Sequence, residues 1–192
     1  MTSSAPALSL PPLLTASPLT EKLTVDHIRE AKTWSLVKGA EIYYVESFFL
    51  NITPESVLEV TKNAAAEIKI FIPQSFTEVL GEILPYLDVV FGNEIKKPKA
   101  NTQRERLVVF TQVANCTIVA KTDGTIEEYP IIAIPHTKIV NCNGAGDAFC
   151  GVFVAKLVQD ADIATAVAKG HYLAHQVIQQ SGPTYPRNLN QD

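Results

Sequence analysis

Asn141-Cys142-Asn143-Gly144-Ala145-Gly146-Asp147-Ala148-Phe149 follows a β-rich run and opens an apolar helical stretch. Glycines on either side of a single alanine let a main chain approach a ligand without Cβ collisions. Successive peptide N–H groups of Gly144, Ala145 and Gly146 at a helix start make an anion site, and the helix dipole adds to it. Donors placed this way suit the charge that spreads over a phosphoryl group in transfer. Asp147 stands at the edge of that site, where a carboxylate can accept a proton from an attacking hydroxyl or sit near a magnesium ion. The same spacing also makes an ordinary helix-capping turn with Asp147 as a first-turn acid, and a lone glycine-rich loop does not separate the two readings.

The elements that must position this loop are read from periodicity. Thr24 caps a helix that carries Val25, Ile28 and Ala31 at helical spacing. Ile42–Val45 reads as a strand. Thr53 as cap and Pro54 at the first helical position start a helix running to Ala66. Ile68–Ile72 is a strand, and a short helix over Phe76–Leu84 is stopped by Pro85. Leu87–Phe91 is a strand ending at Gly92-Asn93-Glu94, and residues 95–105, with Lys96, Lys97, Pro98 and Lys99, form an exposed connection. Leu107–Thr111 and Thr117–Ala120 are strands, and Asp123-Gly124 turns the chain into Thr125–Tyr129. Ile131–Ile134 and Lys138–Val140 are extended, and helices span Ala145–Val158 and Ile163–Gln179. There is no internal repeat. This order predicts an α/β sandwich with a largely parallel central sheet. Ligands on such sheets sit at the carboxyl ends of strands, where the motifs fall.

Residues 1–20 are rich in Ser, Pro and Ala and read as a disordered leader, with one domain over 21–192. Hydrophobic residues at 46% and charged residues at 19% describe a globular protein. A net charge of −4 without a basic tract argues against nucleic acid and anionic membranes as partners. The three cysteines, Cys116, Cys142 and Cys150, fit neither a zinc site nor a disulfide framework, which points to a reducing compartment. The apolar runs are too short or too interrupted for a transmembrane helix, and no basic n-region suggests a secretory signal.

The Asn141–Phe149 segment resembles the C-terminal signature of the phosphofructokinase-B, or ribokinase-like, kinases, whose usual form is Asp-Thr-x-Gly-Ala-Gly-Asp. The likeness runs with gaps from about Thr24 to Pro186. It includes Phe48-Phe49-Leu50 with Pro54-Glu55-Ser56-Val57-Leu58, then Pro85-Tyr86-Leu87-Asp88 with Phe91-Gly92-Asn93-Glu94. Val109-Phe110-Thr111-Gln112 and Gly170-His171-Tyr172 follow, and the blocks favour the adenosine-phosphorylating members. The resemblance implies a ribokinase-like three-layer α/β/α sandwich, truncated at its N-terminus, that keeps the ATP-binding half. It implies ATP-dependent phosphorylation of adenosine to AMP, in purine salvage, with Mg2+ as cofactor and ATP as co-substrate. It gives Asp147 the role of general base toward a 5′-hydroxyl, and the amides of Gly144, Ala145 and Gly146 the role of anion hole. Asn93, Thr111, Gln112, Asn143 and His171 become ATP-binding residues, and Glu94 the metal residue. Taken singly, Asn93 also fits a turn, Glu94 a solvated acid, Thr111 a strand end and His171 a satisfied helix histidine. Location in the cytoplasm, with the nucleus as an addition, also follows from the resemblance.

The departures from that pattern have physical meaning. Asn141 stands where the family has aspartate, keeping shape and losing charge, and Cys142 stands where it has threonine. Val152 replaces a small residue and is expected to crowd helix–sheet packing. Asn93-Glu94-Ile95-Lys96 ends in a base where the family has an acid, and Val113 replaces a glycine. The family's acceptor half has no counterpart. Removing sheet strands exposes an edge that a protein partner would cover. The alternatives are therefore a truncated homologue that binds nucleotide or a partner without turnover, and a related sugar kinase.

Overall fold

The computed structural model of the chain describes residues 24–40, 42–46, 48–63, 68–72, 78–92 and 106–182. The 1–20 leader, the 95–105 connection, Asn93 and Glu94 lie outside the described residues.

Thr24 caps α1 (Val25–Arg29), its hydroxyl accepting from the His27 N–H at 3.3 Å. Glu30 leaves helical geometry at ψ 135°, so the apolar spacing continues as a separate α2 (Ala31–Gly39). β1 (Ile42–Glu46) is followed by α3 (Phe48–Ile52) and α4 (Pro54–Asn63). Thr53 does not behave only as a start signal: its hydroxyl donates back to the Phe49 carbonyl at 3.4 Å, joining the two short helices. β2 (Ile68–Ile72), α5 (Glu78–Ile83) and β3 (Val89–Gly92) come next. Pro85 ends α5 as its missing N–H requires, within a 3-10 turn at Leu84–Tyr86. Buried Arg106 serves the carbonyls of that turn, donating to Leu87 O at 3.1 Å and to Leu84 O.

β4 (Leu107–Phe110), β5 (Thr117–Lys121) and β6 (Ile126–Tyr129) complete a six-stranded sheet in the order β1-β2-β3-β4-β5-β6. The pairings β1–β2, β2–β3 and β3–β4 are parallel, while β4–β5 and β5–β6 are antiparallel. The β1–β2 and β2–β3 crossovers carry helices, as parallel pairings demand. The antiparallel part turns through Gly124 at φ 90°. The apolar run after Tyr129 forms no strand, because Pro130 and Pro135 remove ladder donors, and a 3-10 turn at His136–Lys138 follows. α6 (Ala145–Val158) and α7 (Ile163–Ile178) form an antiparallel pair, the last elements among the described residues. Among the described residues β1 pairs only with β2, so its other edge carries no strand.

Strand alternation sorts the core onto two faces. Val90, with Val45 and Val108, packs on Leu50, Val57, Ile83, Leu84 and Leu87 on one side. Val89, Phe91, Val109 and Val119 pack on Phe149, Cys150, Phe153, Ala166 and Val167 on the other. Helices thus cover both faces, which is the three-layer α/β/α arrangement of the expected fold class.

Phe153 is fully buried, with Phe91 at 5.3 Å and Phe149 at 5.9 Å between ring centroids. Phe153→Ala is expected to lower the free energy of unfolding by about 3–5 kcal/mol. Ile126→Ala on exposed β6 should change it by no more than about 0.5 kcal/mol. Urea unfolding of both variants measures the contrast.

Candidate active site

α6 begins without a side-chain cap. Gly144 occupies the cap position with φ 79°, a left-handed conformation that glycine adopts without steric cost. By comparison α7 is capped by Asp162, whose carboxylate accepts from the Thr165 N–H at 2.7 Å. That hydrogen bond holds the Asp162 carboxyl below its ordinary value. At α6 the peptide N–H groups stay open. Those of Gly144, Gly146 and Asp147 meet no acceptor among the described residues. The Ala145 N–H points at the Cys142 carbonyl over a long 3.4 Å. Of the expected donors Gly144, Ala145 and Gly146, that of Ala145 is half-engaged, and the amide of Asp147 is open beside them. The Ala148 N–H then donates to Gly144 O at 2.9 Å, closing the first helical turn.

The loop before the helix is organised by Asn141, whose side-chain oxygen accepts from the Asn143 N–H at 2.9 Å. An amide oxygen accepts this bond as a carboxylate would, so the Asp-to-Asn departure preserves the turn. It also uses up the Asn143 main-chain donor; the Asn143 side chain is exposed. Two further bonds pin the approach, with Ile178 O at the end of α7 accepting from Val140 N at 2.9 Å and Asn141 N at 3.1 Å.

Asp147 is exposed on the first turn, directly before the buried run Ala148, Phe149, Cys150. Burial, and after it the negative charge of Asp147, push the Cys150 thiol up, which makes it an inert core residue. Phe149 anchors the turn over the carboxyl end of β3, its ring centroid 6.4 Å from that of Phe91. The next residue, Gly92, accepts from the Thr111 N–H at 3.0 Å. Phe149 thus seats α6 beside the end of β3, and Thr111 and Gln112 leave β4, the strand paired with β3. Asn93 and Glu94 follow Gly92 in the chain and lie outside the described residues. Among the described residues no three His, Cys, Asp or Glu side chains cluster as a metal site. Asp147 is the hard oxygen ligand that the loop itself offers. One carboxylate is in keeping with magnesium, which is bound largely by water and substrate phosphates.

Val113 sits in the turn after Gln112 with φ 46° and is 96% exposed. The Asn115 N–H closes this turn on Gln112 O at 2.7 Å. The left-handed geometry suited to glycine is thus adopted by a β-branched residue, with strain. Its side chain stands in solvent. Val152, expected to press on the sheet, instead lies in the α6–α7 seam with Ala148, Leu173 and Val177.

His171 is held by Thr117, Nε2 lying 2.7 Å from the Thr117 hydroxyl, and its ring is 5.5 Å from that of Phe149. Burial holds its pKa below the ordinary 6.5. Thr117 carried no signal in the sequence, whereas Asn141 was read there as a departure from the signature and Gly170 as part of a matching block. The first pairs with a residue 54 positions away, which no local pattern signals.

The chain matches the pfkB family carbohydrate kinase pattern over residues 13–189. It belongs to the pfkB kinase family. Among curated relatives, adenosine kinase 2 of Arabidopsis thaliana is 38% identical over 84% of this chain and 56% of its own length. The adenosine kinase of Schizosaccharomyces pombe is 36% identical over 83% and 56%. Among solved structures, the Anopheles gambiae adenosine kinase in complex with P1,P4-di(adenosine-5) tetraphosphate superposes with a TM-score of 0.72 at 30% identity, covering 82% of this chain and 56% of that one. A Schistosoma mansoni adenosine kinase, TM-score 0.77 at 23% identity over 85% and 57%, shares the fold. The chain spans a little over half the length of these relatives. No helix among the described residues is long and apolar enough to cross a membrane.

Relief of the strain at Val113 predicts that Val113→Gly raises stability by about 1 kcal/mol, the left-handed penalty less the entropy of glycine. Chemical denaturation measures it. A second prediction concerns pH. The unfolded chain protonates His171 near 6.5 while the folded chain resists, so this stability is complete above that pH and is lost as pH falls through the folded value. Urea midpoints from pH 7.5 down to pH 5 should decline, and less steeply in His171→Gln.

Proposed function

We propose that this chain holds the phosphates of ATP on the open amides at the start of α6 and transfers the terminal phosphoryl group to the 5′-hydroxyl of adenosine, giving AMP and ADP. The observation that carries this reading is an uncapped helix start, with Gly144 in left-handed geometry, beside an exposed carboxylate at Asp147. Free peptide donors stabilise the negative charge carried by the transferring group. In the step proposed, the 5′-oxygen bonds to phosphorus as the bond to the leaving ADP oxygen breaks. Asp147 takes the hydroxyl proton. Adenosine as acceptor is supported by the relatives, which carry the name adenosine kinase at 36–38% identity.

Thr111 and Gln112 approach the nucleotide from the neighbouring strand end. Asn143 borders it through its exposed side chain. His171, tied to Thr117, shapes the wall behind the loop. Magnesium bound with ATP would neutralise phosphate charge, with Asp147 and Glu94 as the protein's carboxylates for it. ATP and adenosine are the small-molecule partners of this reading.

The test is a coupled assay with purified chain, ATP, magnesium and a panel of adenosine and sugar acceptors. Asp147→Asn should lower kcat by about 10²–10⁴-fold while ATP binding persists. Turnover on sugars alone would reassign the acceptor. ATP binding without any product would leave a nucleotide-binding protein. Unchanged turnover in the variant would remove Asp147 from the chemistry.

A further inference from the structure

Gly170, in the middle of α7, lies against Phe149, the residue directly after the first turn of α6. A Cβ there would meet Phe149 Cδ2 at 2.7 Å, Phe149 Cε2 at 2.8 Å and the Phe149 carbonyl oxygen at 3.1 Å. The first two atoms belong to a ring, but the third is main chain. The ring has little room to retreat. It is 2% exposed, with Phe91, Phe153 and His171 around it at 6.4, 5.9 and 5.5 Å. His171 is itself fixed by Thr117 on β5. An extra methyl at 170 must therefore displace the α6 backbone, since a packed core does not deform freely.

That backbone carries the site. Phe149 follows Asp147 by two residues, directly after the turn that the Ala148-to-Gly144 bond closes. On the other flank of the loop, Ile178 O at the end of α7 accepts from Val140 N and Asn141 N. α7 thus fixes the loop from both sides, through a missing side chain and through a carbonyl. Gly146 and Gly151 on α6 differ, because a Cβ on either would meet open space.

We propose that Gly170 is a positioning residue for the phosphate site. Its bare α-carbon sets the depth at which the first turn of α6 rests, and so aligns the Gly146 and Asp147 amides and the Asp147 carboxylate with the phosphoryl group. The proposal rests on reading the α6 start as an ATP-phosphate site. A misplacement of about 1 Å in such a site costs about 10²-fold, so a contact of this kind reaches the chemistry.

Amide NMR spectra and ATP titrations of the full chain test it, with Gly170→Ala, Gly170→Ala/Phe149→Leu and, as control, Gly151→Ala. Gly170→Ala should shift the Gly144, Gly146 and Asp147 amide resonances and weaken ATP binding by about tenfold or more. The double variant, with the obstructing ring shortened, should move both back toward wild type, and Gly151→Ala should alter neither. Loop amides and ATP affinity at wild-type values in Gly170→Ala, beside a lowered thermal midpoint, would overturn the proposal and leave Gly170 a packing residue. Should Gly170→Ala not fold, Phe149→Leu alone takes its place. Slack beneath Gly170 should disturb the same amides, and their constancy would overturn the proposal. If the wild-type chain binds no ATP, the phosphate-site reading falls and the amide shifts alone judge the Gly170 contact.

Discussion

The first peptide N–H groups of an α-helix have no partner within the helix, and something else must satisfy them. A side chain can do so, as Asp162 does for α7, and so can water or a ligand. α6 uses no side chain, because Gly144 has none to offer and turns left-handed instead. The open donors and the aligned peptide dipoles beneath them concentrate positive potential at one point of the surface. The rest of the molecule holds that point still. Phe149 anchors it to β3, Asn141 shapes the approach, and α7 clamps both flanks.

The sheet explains why the point lies where it does. Parallel strands bring their carboxyl ends to one side, and Phe149 seats the start of α6 beside the end of β3 there. Two apolar faces, one under α3 to α5 and one under α6 and α7, make the sheet a rigid floor. A rigid floor matters because phosphoryl transfer depends on placement and electrostatics far more than on covalent help from the protein. Membership of the pfkB family agrees with this division of labour between scaffold and loop.

Much of this was legible in the residues. The α6 boundaries follow from a glycine-rich start and an apolar run, and they match the expectation from Ala145 to Val158. Pro54 and Pro85 marked a helix start and a helix stop because a missing N–H acts locally. The break at Glu30 was not legible, since the apolar spacing runs through it and only the main-chain angles reveal it. The strain at Val113 was hidden for a similar reason: valine ordinarily argues for a strand, and the closed turn overrides that preference. Val152 looked like a threat to the sheet, but helical phase turns it toward α7. The His171–Thr117 bond and the Gly170–Phe149 contact join distant segments, so periodicity is silent about both. In the candidate site, composition indicated the donors, while which N–H groups remain open depended on the bonds that Asn141 and Cys142 make.

The most direct measurement is a crystal structure of the chain with magnesium and a non-hydrolysable ATP analogue. The account predicts terminal phosphate oxygens about 3 Å from the peptide nitrogens of Gly146 and Asp147, within hydrogen-bond range. A nucleotide whose phosphates bind elsewhere, with those nitrogens left to water, would contradict it.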